Sequence, residues 1–600
     1  ARRWCVRLSC SATAMLVKSL LLLAWAAQAS GQTETNTAIL SDNDIIPEDI
    51  PPFTDQLPIV YLLLGPEATP LARAIVLPES ACPELSFTSE LSHLADTSVE
   101  VRNVGSASLP TAFPIKVCEA KLPNDIDLPA ETITFGGRPL PAVHRNPERY
   151  VLMGDTGLRV KPKNNGFCQS PGSTKLYDID QCDGLPPTSR SQFNESWVDG
   201  DFQALDDWPL ESLSSLAAAE APHAVVYVGD YLYRQGPCPY PNNAGADCTG
   251  INAPSFYELE GANLEYDFVP GNWGDNIYGW WADFFWPARD LLAAAPWIGI
   301  RGNHENCERA GHGWFLLISP HPLRKNWTID TEGECDDFSP PWRVPFVNEQ
   351  FLLMDDSLIT PLNKGVDHFN YTEGACPGPA PEGEVLVPET QSRYEDEDQD
   401  DAEVTRQIGL YSGYMKTLED WSQSHDTNFY ASHRPLFAVA CDGDHMNVLD
   451  WTMQQSLGPH TLDRVSAAIA GHMHWFEALS FENQGLPAQI VVGNAGTDLI
   501  KNYVNQETLP TIELRVGVDD AYTARVEAGI TASVYGYSVM TRGANGYNIV
   551  AYGYNEASSQ LEPFYDFSVP SGPRVPKEPC VPCGKRHRRK TLFASLPCCP

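Results

Sequence analysis

The chain has 600 residues, 40 Lys and Arg against 78 Asp and Glu, and a net charge of −38 with histidine neutral. That length holds more than one small core, and that charge repels nucleic acid and anionic membrane surfaces at long range, which excludes a nucleic-acid scaffold. Beyond the amino-terminal leader no stretch reaches about 18 consecutive apolar residues, so no integral membrane segment is expected.

Residues 1–29 read as a secretory leader: Lys18 precedes the apolar segment Leu20 to Ala27, and Ala27-Gln28-Ala29 supplies the small residues a signal peptidase needs. Cleavage is expected after Ala29, Met15 is the natural start, and the mature protein would be secreted or extracytoplasmic. Sixteen cysteines agree with an oxidising compartment, and Asn194, Asn326 and Asn370 each open an Asn-x-Ser/Thr glycosylation pattern. Residues 30–52 are acidic and polar, end in Pro51-Pro52, and read as a linker.

Over residues 53–145 short β-rich runs such as Ile59 to Leu62, Ser98 to Val101 and Phe113 to Val117 alternate with Pro and Gly. This pattern predicts a smaller all-β domain of sandwich type, with Cys82 and Cys118 available to cross-link it. A different grammar runs through residues 146–570. Short apolar strands recur, each followed at once by polar residues: Tyr150 to Met153, Val225 to Val228, Trp297 to Ile300, Phe351 to Met354, Asn428 to Ala431, Ser466 to Ala470 and Ile490 to Val492. Helical patterns lie between them over Asp206 to Ala219 and Trp281 to Ala294. Such alternation predicts an α/β layer structure whose site is built by loops at the carboxyl ends of the strands. The alternating run Ser533 to Val539 extends a sheet, whereas Tyr394 to Glu403 is too acidic for a core and reads as a solvated loop. Residues 571–600, with a basic run from Lys585 to Lys590, read as a disordered tail; Cys580 and Cys583 lack the second C-x-x-C of a zinc ribbon.

Five strand-end loops carry ligand-type residues. They are Gly154-Asp155-Thr156-Gly157, Gly229-Asp230 with Tyr233, Gly302-Asn303-His304-Glu305, Ser432-His433 and Gly471-His472-Met473-His474. The dipeptide Gly-Asp occurs five times in the chain, so by itself it says little. Each loop alone also has a commonplace explanation: Asp155 as a helix cap, Asn303 as a turn residue, His433 as a core imidazole. In series, each after an apolar strand, they supply the Asp, Asn and His that a pair of hard to borderline cations needs.

These motifs resemble the calcineurin-like metallophosphoesterases, and within them the purple acid phosphatase branch, whose series G-D-x-G, G-D-x-x-Y, G-N-H-E, V-x-x-H and G-H-x-H is matched except for Tyr430 at the Val position. The resemblance covers residues 150 to 475 and implies a four-layer α/β/β/α sandwich over residues 146–570. Most of the superfamily has D-x-H in the first loop; here Gly157 holds that place, and in the purple branch the tyrosine matched by Tyr233 replaces the lost ligand. Carried over, the resemblance implies one ion held by Asp155, Asp230, Tyr233 and His474, and a second held by Asp230, Asn303, His433 and His472. A phenol of ordinary pKa near 10 ionises at neutral pH only on a strongly Lewis-acidic ion, which favours Fe(III) in the first place; Zn, Mn or Fe(II) suits the second. His304 is expected to donate to the leaving oxygen, with Asp230 bridging the ions, and Arg301, Arg309 and His445 are candidates for phosphate contact. The expected activity is acid phosphatase hydrolysis of phosphomonoesters. Phosphodiester hydrolysis, or a secreted binding protein with a structural metal site, are the alternatives. The sequence leaves the oligomeric state open.

Overall fold

The computed structural model describes residues 51–571 apart from 103–112, 159–166, 179–207, 234–274, 324–337, 360–368, 371–400 and shorter gaps. The leader, nearly all of the linker, the carboxyl-terminal tail, and Asn194 and Asn326 lie outside the described residues.

Two large sheets dominate. The ten-stranded sheet has at its centre Arg149–Met153, Ala224–Tyr227, Trp297–Gly299 and Ile59–Leu64, all parallel. The nine-stranded sheet is parallel through Glu349–Leu353, Thr427–Ala431, Val465–Ala470 and Ala488–Val492. Strands buried on both faces read as continuous apolar runs, which is why these segments stood out in the sequence.

Alternate side chains of each strand enter different cores. Leu152, Val226 and Ile298 of the first sheet meet Phe351, Phe429, Ala467 and Ile490 of the second in one apolar cluster. On its other side the first sheet sends Val151, Val225 and Trp297 against Leu210, Leu213 and Leu291, which belong to the helices Leu210–Ala219 and Arg289–Ala294. Leu352, Tyr430 and Ala468 of the second sheet pack with Tyr411, Met415 and Met453 from the helices Asp401–Ser422 and Trp451–Leu457.

The strands expected to form a separate all-β domain do not pair that way. Ile59–Leu64 lies parallel to Trp297–Gly299, and Pro70–Val76, Lys116–Lys121 and Val99–Val101 continue the ten-stranded sheet outward. Of the described strands in this region, only the short Leu85–Phe87, Ile133–Phe135 and Arg138–Pro139 make a sheet of their own. The Leu63 and Leu64 end of the first strand is buried, so pairing beside Trp297 covers apolar surface that an isolated sandwich edge would expose. Cys82 and Cys118 do form a disulfide. The acidic run expected to be a loop ends inside the Asp401–Ser422 helix, where Asp401 and Glu403 fall in the first turn, the end at which the helix dipole favours negative charge. Among the described residues no helix is long and apolar enough to cross a membrane.

Candidate metal centre

Because both sheet centres are parallel, the carboxyl ends of their strands open toward one region. Asp155 follows Arg149–Met153, Asp230 follows Ala224–Tyr227, Asn303 follows Trp297–Gly299, His433 follows Thr427–Ala431, and His472 and His474 follow Val465–Ala470. The structure brings all of them together. Asp155, Asp230 and His474 form one group of ligand atoms within 4.8 Å of one another, and Asp230, His433 and His472 form another.

Asp230 belongs to both groups. Its Oδ2 accepts from the Tyr233 hydroxyl at 2.9 Å and lies 3.3 Å from His433 Nε2, while its Oδ1 accepts the His304 main-chain N–H at 3.0 Å. Tyr233 Oη also stands 2.9 Å from His474 Nε2 and 3.3 Å from Asp155 Oδ1. In the second group Asn303 Oδ1 is 2.8 Å from His433 Nε2 and 2.9 Å from His472 Nδ1. The outer nitrogens are held by main chain: His433 Nδ1 by Val228 O at 2.7 Å, His474 Nδ1 by Asp498 O at 3.0 Å. Such contacts fix ring orientation and leave the opposite nitrogen pointing inward.

Asp155, Asp230 and His472 all have left-handed backbones, with φ of 56°, 58° and 70°. Each costs on the order of 1 kcal/mol or more for a non-glycine residue, a cost that clusters at functional sites. Close approach also demands Gly302, where a Cβ would stand 2.1 Å from Asp230 Oδ1.

The electrostatics are those of crowded, buried charge. Burial pushes the Asp155 carboxyl up to about 8 against the pull of His433. Burial acts the same way on Asp230, but His433 and His304 outweigh it and hold that carboxyl well below its usual range. For His433 burial favours the neutral ring, yet Asp230, with Asp155 and Asp356, raises the imidazole to about 10. Two carboxylates, a phenol, an amide oxygen and three imidazoles facing inward are a donor set that fits two cations, with Asp230 between them.

His304 lies beside the set, its ring centroid 4.1 Å from that of Tyr233. Arg301 does not face it: the guanidinium makes a fully buried ion pair with Asp355 at 2.7 Å, beside the Trp314 and Phe315 rings. A buried cation of fixed charge needs such a permanent partner. Arg309 is half-buried with its N–H on Asn306 O, and no hydrogen bond or ion pair joins it to the set among the described residues. His445 lies in the strand His445–Val448, and its side chain is outside the described residues.

Sequence reasoning missed three supporting groups. Glu305 accepts the main-chain N–H groups of Asp230, Tyr231, Leu232 and Gly302, tying two ligand loops together. Asp356 accepts those of His433 and Arg434. Arg434 itself places Nη1 2.9 Å from His472 Nε2. Asp355 and Asp356 were visible in principle, since they follow Phe351 to Met354 just as the ligands follow their strands.

The site and the sheets define a mixed α/β protein with a candidate paired-cation centre at the strand ends. No family model and no curated protein matches the sequence. Among solved structures it is similar to one described as the structure of PhoD, at 11% identity and a TM-score of 0.41 over 86% of this chain and 94% of that one. It is also similar to GAP50, described as the anchor in the inner membrane complex of Plasmodium, at 11% identity and a TM-score of 0.31 over 72% and 90% of the two chains. Neither likeness is close enough to carry an argument.

Proposed function

We propose that this protein is an exported binuclear-metal phosphoesterase, and most specifically an acid phosphatase acting on phosphomonoesters. The observation that supports it most is the shared position of Asp230 between two inward-facing donor groups. A single structural cation would need only one of them.

The first ion would be held by Asp155, Asp230, Tyr233 and His474, the second by Asp230, Asn303, His433 and His472. When bound, two such cations lower the pKa of water and offset the charge of a phosphoryl group. Asp230 would contribute to both places, and its carboxylate is kept ionised by the neighbouring imidazoles. His304, anchored through its N–H to Asp230, is the group to hold the proton that the leaving oxygen takes. The packing around Gly157 seats the Tyr233 ring, whose phenol as a ligand would favour Fe(III) in the first place. A Cβ at Gly157 would stand 2.8 Å from Tyr233 Cδ2 and 2.8 Å from Tyr231 O, so a histidine there and the Tyr233 ring exclude each other. The three apolar clusters support a helix–sheet–sheet–helix layer order.

Metal analysis with visible spectroscopy tests the reading. We expect two ions per chain, a tyrosinate-to-iron charge-transfer band lost in Tyr233→Phe, and faster hydrolysis of a phosphomonoester than of a bis-substituted phosphate. A colourless, active protein with two divalent ions would remove the iron assignment, and preference for the diester would replace the substrate class. Two bound ions with no turnover of either ester would remove the enzymatic reading.

A further inference from the structure

We propose that Arg434 is the residue that grips the phosphoryl oxygens of the substrate; this rests on the phosphoesterase reading above. Arg434 directly follows the candidate ligand His433. One carboxylate fixes both: Asp356 accepts the His433 N–H at 3.2 Å and the Arg434 N–H at 3.1 Å. The side chain is therefore launched from a backbone as rigidly held as the ligand's own. It is 4% exposed, and its Nη1 lies 2.9 Å from Nε2 of His472, a half-buried ring at the rim of the set.

The tautomer of that ring decides what the arginine does. A guanidinium only donates, so in this arrangement Nε2 accepts and the ring proton sits on Nδ1, directed at Asn303 Oδ1 2.9 Å away. Nδ1 is also the nitrogen on the ion side, because the same Asn303 oxygen lies 2.8 Å from His433 Nε2. An ion held there would take the Nδ1 lone pair and leave the ring proton to Nε2. Nε2–H would then oppose Nη1–H, donor against donor. A phosphoryl oxygen is an acceptor that suits the guanidinium, since the planar fork matches phosphate geometry and low exposure strengthens the contact. The Arg301 guanidinium is paired with Asp355, whereas that of Arg434 stands at the rim of the ligand set beside His472.

The test uses the full metal-loaded chain, with orthophosphate as the probe in calorimetry, metal content by mass spectrometry, and steady-state hydrolysis of a phosphomonoester. Removing one charged hydrogen-bonding partner of an anion weakens binding about ten- to a hundredfold. Arg434→Gln is expected to keep both ions, to lose orthophosphate affinity on that scale and to raise KM with it. Arg434→Lys keeps charge without the fork and is expected to lose less; if the Gln variant does not fold, the Lys variant decides. Unchanged orthophosphate affinity in the folded variant, or loss of an ion from it, would overturn the assignment. A wild-type protein that turns over phosphate esters while the variant binds orthophosphate normally removes Arg434 alone, whereas a loaded wild type inert toward phosphate and its esters removes the phosphoesterase reading as well.

Discussion

The Arg73–Glu119–Arg102 cluster and the strand-end carboxylates both bury several charges, and they satisfy them in opposite ways. Arg73 donates to Leu317 O at 2.7 Å, Ser319 O at 2.6 Å and Glu119 at 2.8 Å. Arg102 donates to the carbonyls of Phe315, Leu316, Ser319 and His321 and to Glu119. The donors meet fixed acceptors at the end of the π-helical turn Trp314–Ile318, which these two arginines clamp to the edge of the ten-stranded sheet. Burial would raise the Glu119 carboxyl, but Arg73 and Arg102 outweigh it and lower it. In the candidate centre, by contrast, several ligand-type groups crowd onto each shared partner. Asp155 and Asp230 share one phenol, and two imidazoles share one amide oxygen. Buried charge is thus no sign of function by itself; metal-ligand side chains from several strand ends converging on one place are what point to a ligand.

The largest test of this contrast is Asp230→Asn. We expect the variant to lose both ions and at least about three orders of magnitude in phosphoester hydrolysis, measured by metal content and initial rates, while far-ultraviolet circular dichroism stays native. A variant that keeps both ions would break the comparison at its centre. The clamp should respond the other way. Glu119→Ala leaves two buried guanidinium groups facing each other and is expected to cost about 3–5 kcal/mol in urea unfolding, with metal content unchanged in the protein that remains folded. Loss of metal without loss of stability would mean the two regions had been assigned in reverse.

A third buried carboxylate sharpens the comparison by pH. Asp275 accepts from Trp280 Nε1 at 2.9 Å and from the N–H groups of His312 and Gly313, dipoles without a fixed positive charge. Burial therefore pushes its carboxyl up to about 7, the reverse of Glu119. A carboxyl that holds its proton more tightly when folded adds stability below its unfolded pKa near 4 and loses that contribution as pH rises to about 7. His312, 3.7 Å away, is held down to about 4 by burial and contributes with the opposite sign, gaining stability as pH rises from about 4 toward 6.5. In thermal unfolding between pH 4 and 7, Asp275→Asn is expected to remove the falling component and leave the rising one. A pH profile that does not change would show that Asp275 is ionised throughout.

The strands and the candidate ligands were legible in the sequence because a residue at a strand end sits beside its strand along the chain. Tyr150 to Met153 announces Asp155, and Ser466 to Ala470 announces His472 and His474. The helix Asp401–Ser422 was less legible, since the acidic run leading into it reads as solvated surface. Arg301 and Arg434 show where the local signal stops. Both adjoin ligand-type residues, yet one guanidinium turns to Asp355 and the other to His472.

By itself, then, the chain's pattern determined which apolar segments become strands and which polar residues stand at their ends, since apolar runs and glycine positions act through the local backbone. The tertiary structure decided the partners: that Ile59–Leu64 lies beside Trp297–Gly299, that Glu305 ties two loops, and that Asp355 and Asp356 hold different neighbours. The reason is reach. A long polar side chain is satisfied by whichever strand the sheet order places next to it, and that order is settled by burial summed over the whole fold.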